Sequence, residues 1–150
     1  MEVTVRPAEP ADLAGLLALY AQLNPDDPPV DPDIAQFAFA HIRHTPGMTV
    51  FVLEQDNHLA ATCTLIVIPN LTRSARPYAL IENVVTDAAH RTRGLGRTVL
   101  QAAITAAWTA GCYKIMLMTG SKRPETLRFY TNLGFTQNKT GFQMRRQDEA

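Results

Sequence analysis

The chain has 150 residues, enough for one ordinary domain with its own hydrophobic core. Its 14 lysines and arginines balance its 14 aspartates and glutamates, so bulk charge does not favour a nucleic-acid or a membrane partner. The first residues form neither a signal peptide nor a membrane span, so we expect a cytoplasmic protein without a disulfide between Cys63 and Cys112.

The first third of the chain predicts one strand and two helices. Val3–Val5 alternates before a proline, which is typical of a short strand. Apolar residues at helical spacing from Leu13 to Leu23 indicate a first helix, and the prolines of Asn24–Pro29 end it. Asp31 and Pro32 are the residue types of a helix cap and a first helical position. The apolar stripe predicted for this second helix is Ile34, Phe37, Ala38, His41 and Ile42.

The middle third predicts three strands. Met48–Leu53 and Leu59–Ile68 are rich in β-forming residues, and the Asp56–Asn57 pair between them predicts a hairpin. Pro69–Pro77 is polar and is expected to be a mobile loop. Tyr78–Thr86 has the composition of the next strand.

A long helix, Gly94–Trp108, follows that strand and is ended by Gly111. A short strand, Tyr113–Met118, comes next, and a helix between two strands implies that the strands are parallel. The buried stripe predicted for the helix is Leu95, Val99, Leu100, Ala103, Ile104 and Ala107.

The end of the chain predicts a last helix, Pro124–Leu133, with Gly134 as its terminator. Phe135–Gln137 and Phe142–Arg145 are then expected to form a closing pair of strands. The predicted order is β-α-α-β-β-β-α-β-α-β-β, a mixed α/β fold in a single domain over residues 1–150.

Positive charge is concentrated in the turn between the predicted strand Tyr78–Thr86 and the long helix. This turn carries Arg91, Arg93 and Arg97 around Gly94 and Gly96. A helix start leaves N–H groups unpaired and carries partial positive charge, glycine permits close approach, and arginine adds a donor fork that matches phosphate oxygens. We interpret this turn as a cradle for a diphosphate.

The glycine spacing excludes two common phosphate-binding motifs. A dinucleotide-binding G-x-G-x-x-G would need glycine where Val99 stands, and the chain has no Gly-Lys-Ser/Thr of a P-loop. The pattern present is R-x-x-G-x-G, at Arg91, Gly94 and Gly96. It resembles the pyrophosphate loop of the GCN5-related N-acetyltransferases, which hold acetyl-coenzyme A. Leu127–Phe135 resembles the late-helix signature of the same family.

The resemblance covers nearly the whole chain and implies a sheet splayed between its fourth and fifth strands, with the pantetheine arm in the gap. Backbone groups of Val84 and Thr86 would pair with that arm, and the turn would hold the pyrophosphate. The cofactor-binding residues implied are Val84, Val85, Thr86, Arg91, Thr92, Arg93, Gly94, Leu95, Gly96 and Arg97.

Three segments are similar to the glucosamine 6-phosphate N-acetyltransferase branch of that family. These are Ile81–Val85, Gly111–Ile115 and Arg128–Tyr130. The branch has Glu-Asp where this chain has Glu82–Asn83, and an Asp-Cys-Ser-like strand end where it has Met118–Ser121. Both departures fall at the acceptor site, so the sequence does not identify the amine acceptor. Dimerisation is usual in this branch, which implies a homodimer.

Direct acetyl transfer needs a base and an acid. An alkyl amine has a pKa of about 10 and must lose a proton before it attacks the thioester. Glu82 is the candidate base, because glutamate is a poor strand former and burial moves a carboxyl pKa toward neutral pH. A backbone N–H near Val84 would stabilise the oxyanion. Tyr130 would donate to the departing thiolate.

Further polar residues are candidates for the acceptor. Asn83 would orient the amine, and Lys122 and Arg123 precede a helix and would bind an acceptor phosphate. Arg73 and Arg76 in the polar loop are candidates of the same kind.

Two other chemistries are not favoured. Cys63 and Cys112 occupy apolar positions, so we expect buried thiols rather than an acetyl-cysteine intermediate. His41 and His44 lie one turn apart without a third ligand, so no metal is expected.

The sequence therefore predicts an acetyl-coenzyme A-dependent N-acetyltransferase that acts on a primary amine of a small molecule, with an amino sugar phosphate as one candidate acceptor. Alternatives are a non-catalytic acyl-coenzyme A sensor and an acetyltransferase for a protein or peptide amine.

Overall fold

The computed structural model describes residues 2–147. It divides the chain into two compact units, the first ending at Leu117 and the second beginning at Met118. The single domain expected from the sequence stays a prediction.

The first unit contains a five-stranded mixed sheet whose strands stand side by side in chain order. Neighbouring strands are antiparallel as far as the fourth, and the fourth and fifth are parallel, as predicted. The mixed α/β fold class is therefore confirmed. The strands are β1 (Val3–Pro7), β2 (Met48–Gln55), β3 (His58–Ile68), β4 (Tyr78–Thr86) and β5 (Ile115–Met116).

The described chain contains four α-helices, 3-10 turns at Pro10–Asp12 and Ala88–His90, and a short turn, α3 (Thr72–Ala75), in which Arg73 and Ser74 have left-handed φ of 54° and 61°. The last helix belongs to the second unit. Within residues 2–147 no helix is both long and apolar enough to cross a bilayer. The helices are α1 (Leu13–Leu23), α2 (Pro32–His44), α4 (Leu95–Thr109) and α5 (Pro124–Asn132).

Helices cover both faces of the sheet. Cys63 of β3 lies against α4, with its Sγ atom 3.7 Å from the carbonyl oxygen of Val99. The adjacent residues Thr62 and Thr64 contact Tyr20 of α1. Successive strand residues point to opposite faces, so α1 and α4 lie on opposite sides of β3.

The tight hairpin and the α4 stripe form as the sequence predicts. Asp56 and Asn57 both have positive φ, 52° and 63°, which a two-residue hairpin turn requires. All six predicted stripe residues of α4 are buried. Gly111 has φ of 84° and donates its N–H to the carbonyl of Trp108 at 3.0 Å, ending the helix.

The apolar stripe predicted for α2 is wrong. Four of its five residues are exposed, among them Ile34 at 64% and Phe37 at 79%. The buried residues of α2 are Ala35 and Phe39, because Phe39 packs into the core cluster that contains Val50 of β2. The helix carries apolar residues on two faces, and this tertiary contact decides which face is buried.

The closing pair of strands is also absent from the described chain. Residues 135–147 contain no strand, and Phe142 and Met144 are 91% and 98% exposed. A strand needs a neighbour for its N–H and C=O groups and a face to bury, and here the apolar side chains are not buried. The predicted strand Tyr113–Met118 is likewise shortened to the two residues of β5.

Arg6 joins β1, β2 and the turn before α1. Its guanidinium donates to both carboxylate oxygens of Asp12, at 2.7 and 3.0 Å, and to Oε2 of Glu54 at 2.7 Å. Asp12 is buried, and its hydrogen bonds with Arg6 hold the pKa of its carboxyl below the ordinary value of 3.8. The charge-assisted pair therefore fixes the start of α1 on the sheet.

Asp12→Asn should lower the free energy of unfolding at pH 7 by about 2 kcal/mol, because it removes a charged hydrogen-bond partner. The folded pKa lies below the unfolded value, so the ionised carboxylate stabilises the fold above about pH 4 and this contribution is lost as pH falls. The difference between wild type and variant should shrink in urea unfolding at pH 3. Asp26→Asn, at an exposed turn residue, is the control and should leave the pH profile unchanged.

Candidate active site

β4 is paired along its whole length on one side only. Its register with β5 contains two residue pairs, Ala79 with Ile115 and Leu80 with Met116. β4 itself continues to Thr86. In the described registers, the β5-facing edge of β4 beyond Leu80 therefore has no strand partner. This is the separation of the fourth and fifth strands that the family resemblance implies.

A β-bulge interrupts β4 at Asn83. Glu82 pairs with Thr64 and Val85 with Thr62, so two residues of β4 oppose one residue of β3. Asn83 has φ of 53°, in the left-handed region that asparagine tolerates better than most residues. Bulges redirect side chains and are frequent beside active sites. The sequence pattern does not predict the bulge, although an asparagine inside a strand is a signal for one.

The bulge leaves Glu82 and Asn83 both exposed, whereas a regular strand would turn alternate residues inward. The burial expected for Glu82 is therefore not observed. Among the described residues no hydrogen bond or ion pair engages its carboxylate. The side chain is free to meet an amine or a water molecule, but the fold does not desolvate it.

The start of α4 is open. Gly94 is the N-cap residue, with φ of 76°, and no side chain caps the first turn. Its carbonyl oxygen accepts from the N–H and the hydroxyl of Thr98, at 3.1 and 3.0 Å. A Cβ added at Gly94 would have no heavy atom within 4 Å. The space beside Gly94 is therefore not filled by side chains, so an anion can approach the helix start there.

The three arginines of the turn are exposed. Arg91 is attached to the end of β4, because its Nε donates to the carbonyl oxygen of Thr86 at 3.3 Å. In the described chain no carboxylate forms an ion pair with Arg91 or Arg93. The predicted pyrophosphate residues are thus contiguous in space, with positive charge around an uncapped helix.

Asp87 anchors the beginning of the same turn. Its Oδ2 atom lies 2.8 Å from Nε2 of His58 and 3.3 Å from Nδ1 of His90. The hydrogen bond with His58 lowers the pKa of the Asp87 carboxyl most, followed by the backbone N–H of Ala89. The sequence pattern does not predict this group, because His58 comes from the distant β2–β3 hairpin.

Tyr130 lies in the second unit, at the end of α5. Its half-buried ring packs edge-on against Phe129 at a centroid distance of 5.2 Å and against Phe135 at 6.1 Å. Gly134, with φ of 105°, reverses the chain so that Phe135 donates its N–H to the Tyr130 carbonyl at 3.2 Å. The late-helix signature is therefore one aromatic cluster within this unit.

Lys122 and Arg123 are exposed at the start of α5. Arg123 is engaged by Glu125, with its Nε 2.7 Å from the carboxylate oxygen. Half of this basic pair is therefore already neutralised within the chain, which weakens it as a phosphate site.

Arg73 lies within α3 and Arg76 directly follows it, inside the segment predicted to be a loop. Their guanidiniums stand over the ring of Tyr113, at 5.9 and 5.4 Å from its centroid. Lys114 lies 5.4 Å from the ring centroids of both Tyr78 and Tyr113. Three cations thus share two aromatic rings at the start of β4.

Both cysteines are free and buried, as expected. Burial raises the pKa of the Cys63 thiol to about 12 and also raises that of Cys112. Thiols that stay protonated near neutral pH are poor nucleophiles, so neither cysteine is prepared for an acetyl-enzyme intermediate.

Most of the chain matches known proteins. Residues 16–135 match the model of the Acetyltransferase (GNAT) family. A solved structure named "Putative acetyltransferase from Agrobacterium tumefaciens str. C58" is 52% identical, with a TM-score of 0.92 over 95% of this chain and 99% of that one. Glucosamine 6-phosphate N-acetyltransferase 1 of Oryza sativa subsp. japonica is 31% identical over 89% of this chain and 81% of its own. Glucosamine 6-phosphate N-acetyltransferase of Trypanosoma brucei brucei is 29% identical over 90% of each.

The bulge gives a test of backbone strain at Asn83. Asn83→Val should lower the free energy of unfolding by about 1–2 kcal/mol, because a β-branched residue resists a positive φ. Asn83→Gly should leave it nearly unchanged, since glycine adopts this conformation freely. Urea unfolding of the two variants measures the difference, and equal stabilities would contradict the bulge geometry.

Proposed function

The chain belongs to the Acetyltransferase (GNAT) family, and from this membership we propose that it transfers acetyl from acetyl-coenzyme A directly to the primary amine of an amino sugar phosphate. The chain is an N-acetyltransferase, and acetyl-coenzyme A follows from the family. The observation that supports the proposal most is the uncapped start of α4, with exposed Arg91 and Arg93 beside it.

The turn fits the diphosphate of coenzyme A. The diphosphate carries two negative charges, which match the positive end of α4. They also match the guanidiniums of Arg91 and Arg93, which no described carboxylate neutralises. The N–H groups of Leu95 and Gly96 would bind phosphate oxygens, and Arg91, Arg93 and Arg97 would surround them. The open edge at Val84–Thr86 would pair with the extended pantetheine arm, as a strand would.

Acetyl-coenzyme A supplies an activated thioester when it is bound. Residues of this chain would bring a neutral amine to it. Glu82 is the proposed base: it is exposed at the bulge and no described partner occupies it, so it can accept a proton directly or through water, or hold the ammonium in place. Asn83 is adjacent and would orient the acceptor. A backbone N–H near Val84 would stabilise the oxyanion.

Tyr130 is the proposed proton donor to the departing thiolate. Its motif supports this role, and its ring is held by two aromatic neighbours, which keeps the phenol in one orientation. A thiol resembling cysteine has a pKa of about 8.5, so a phenolic O–H that donates to its sulfur would ease its departure.

Two relatives named glucosamine 6-phosphate N-acetyltransferases support the choice of acceptor. A sugar phosphate needs a cationic subsite, and the group of Arg73, Arg76 and Lys114 offers three positive charges. Lys122 is a further candidate. Asn83 and Met118–Ser121 depart from the branch pattern, so the acceptor is the part of the proposal that most needs measurement.

Arg91→Ala should weaken acetyl-coenzyme A binding by about 10-fold, because one charge-assisted hydrogen bond to the diphosphate is lost. Isothermal titration of the cofactor measures this. Arg145→Ala removes the same charge from an exposed residue outside the turn and should not change the affinity. Equal affinity of wild type, Arg91→Ala and Gly94→Trp would contradict the cradle.

Tyr130→Phe should lower kcat by about 100-fold and leave cofactor affinity unchanged, since only the proton donor is removed. Steady-state kinetics of thiol release, combined with cofactor titration, separate the two effects. Tyr113→Phe keeps a ring beneath Arg73 and Arg76 and serves as the control. A kcat for Tyr130→Phe equal to that of wild type would remove this residue from the mechanism.

The acceptor is tested by thiol release over a panel of amines. The panel contains glucosamine 6-phosphate, glucosamine, an aminoglycoside, a polyamine, an amino acid and a lysine peptide. We expect the highest kcat/KM with glucosamine 6-phosphate and a much lower value without the phosphate. Activity on another amine alone would retain the enzyme and reject the sugar phosphate. Tight cofactor binding without any acetylation would identify a sensor.

A further inference from the structure

We propose that His58, Asp87 and His90 form a binding site for a divalent transition metal of the zinc class, at the entrance to the glycine turn. Each residue contributes one ligand atom, and the three atoms lie within 4.8 Å of one another. It is the one such group of three or more within residues 2–147. The inference does not rest on the proposed acetyl transfer.

The distances suit a tetrahedral ion. Zinc bonds of about 2.0–2.1 Å place neighbouring ligands about 3.3 Å apart. Nδ1 of His90 already lies 3.3 Å from Oδ2 of Asp87. Nε2 of His58 lies 2.8 Å from the same oxygen, which is a hydrogen-bond distance. A metal would need this pair to open by about 0.5 Å, and the His58 side chain, at 58% exposure, can move that far.

His90 carries a buried nitrogen, Nδ1, whose close polar neighbour is the carboxylate of Asp87. Its Nδ1 atom is inaccessible to solvent, and among the described residues it makes no hydrogen bond of acceptable geometry, although Asp87 lies close. A buried polar atom that is poorly hydrogen-bonded destabilises the fold. Coordination to a metal would satisfy this nitrogen. Its ring is stacked on that of His58 with centroids 5.3 Å apart.

A second layer of hydrogen bonds fixes the carboxylate. Oδ1 of Asp87 accepts from the backbone N–H of Ala89 at 3.1 Å and from Nε2 of Gln22 at 3.3 Å. Oε1 of Gln22 accepts from the N–H of Ala88 at 2.8 Å. Oδ1 is thereby occupied, and Oδ2 is left facing both imidazoles. Metal-binding carboxylates are commonly oriented in this way.

The donor set selects the metal. Two imidazoles and one carboxylate suit zinc and its transition-metal neighbours, whereas magnesium and calcium require oxygen ligands. Three protein ligands leave a fourth position for water or another small ligand. His41 and His44, the pair considered from the sequence, have no third ligand in the described chain, and Nδ1 of His44 is 2.7 Å from the Ala40 carbonyl.

A bound ion would join two segments that are far apart in sequence. His58 is the first residue of β3, and His90 ends the 3-10 turn that leads directly to Arg91. The metal would therefore hold the Ala88–His90 turn against the β2–β3 hairpin. Metal binding should raise the thermal stability of the chain.

The test is isothermal titration of Zn²⁺ into the full chain without a histidine tag and without acetyl-coenzyme A. We expect one zinc per wild-type chain and a rise in Tm. His58→Ala and His90→Ala should each weaken binding by about 100-fold or more, and Gln22→Ala by about 10-fold. His41→Ala removes an exposed imidazole elsewhere and should bind zinc like wild type. Circular dichroism checks that each variant is folded.

Absence of zinc binding, or equal affinity of His58→Ala and wild type, would overturn the proposal. So would equal affinity for Mg²⁺ and Zn²⁺, because a nitrogen-rich site must prefer zinc. Because His58 is exposed, His58→Ala keeps the test valid if His90→Ala fails to fold. The titration contains no acetyl donor or acceptor, so its failure leaves the proposed reaction untouched, and an inert enzyme leaves the metal site untouched.

Discussion

Along one edge β4 keeps its hydrogen-bond ladder with β3, whereas along the other edge only Ala79 and Leu80 pair with β5. Backbone N–H and C=O groups need partners, so an open edge within a sheet is prepared to receive an extended chain. An extended ligand arm can supply the missing donors and acceptors. The bulge at Asn83 adds to this opening, because it turns two consecutive polar side chains to solvent.

The helix that follows β4, α4, is packed against the sheet along its length and is uncapped at its N-terminus. Its buried stripe holds α4 against the sheet, while Gly94 starts the helix without a side-chain cap. A fixed helix with unpaired first N–H groups is what anion binding requires. The chain as a whole has no net charge, so attraction for a diphosphate depends on local placement of Arg91 and Arg93 rather than on bulk charge.

The short segment between β4 and α4 is held from several directions. The N–H of Asp87 continues the sheet by donating to the Ala60 carbonyl at 2.8 Å, and Gln22 of α1 bonds to both Asp87 and Ala88. The two histidines converge on the same carboxylate. A turn that must present arginines to a ligand gains precision when its beginning is fixed in this way. The proposed metal would reinforce an anchor that the hydrogen bonds already form.

The sequence by itself determined the features that local chemistry controls: the hairpin at Asp56–Asn57, the buried stripe of α4 and the glycine turn with its arginines. It did not determine which face of α2 is buried, because Phe37 and Phe39 are equally apolar and only packing on β2 selects Phe39. The β4 bulge and the meeting of His58 with Asp87 depend on the register between β3 and β4. Periodicity carries no information about such register, because it arises from contacts between residues that are distant along the chain.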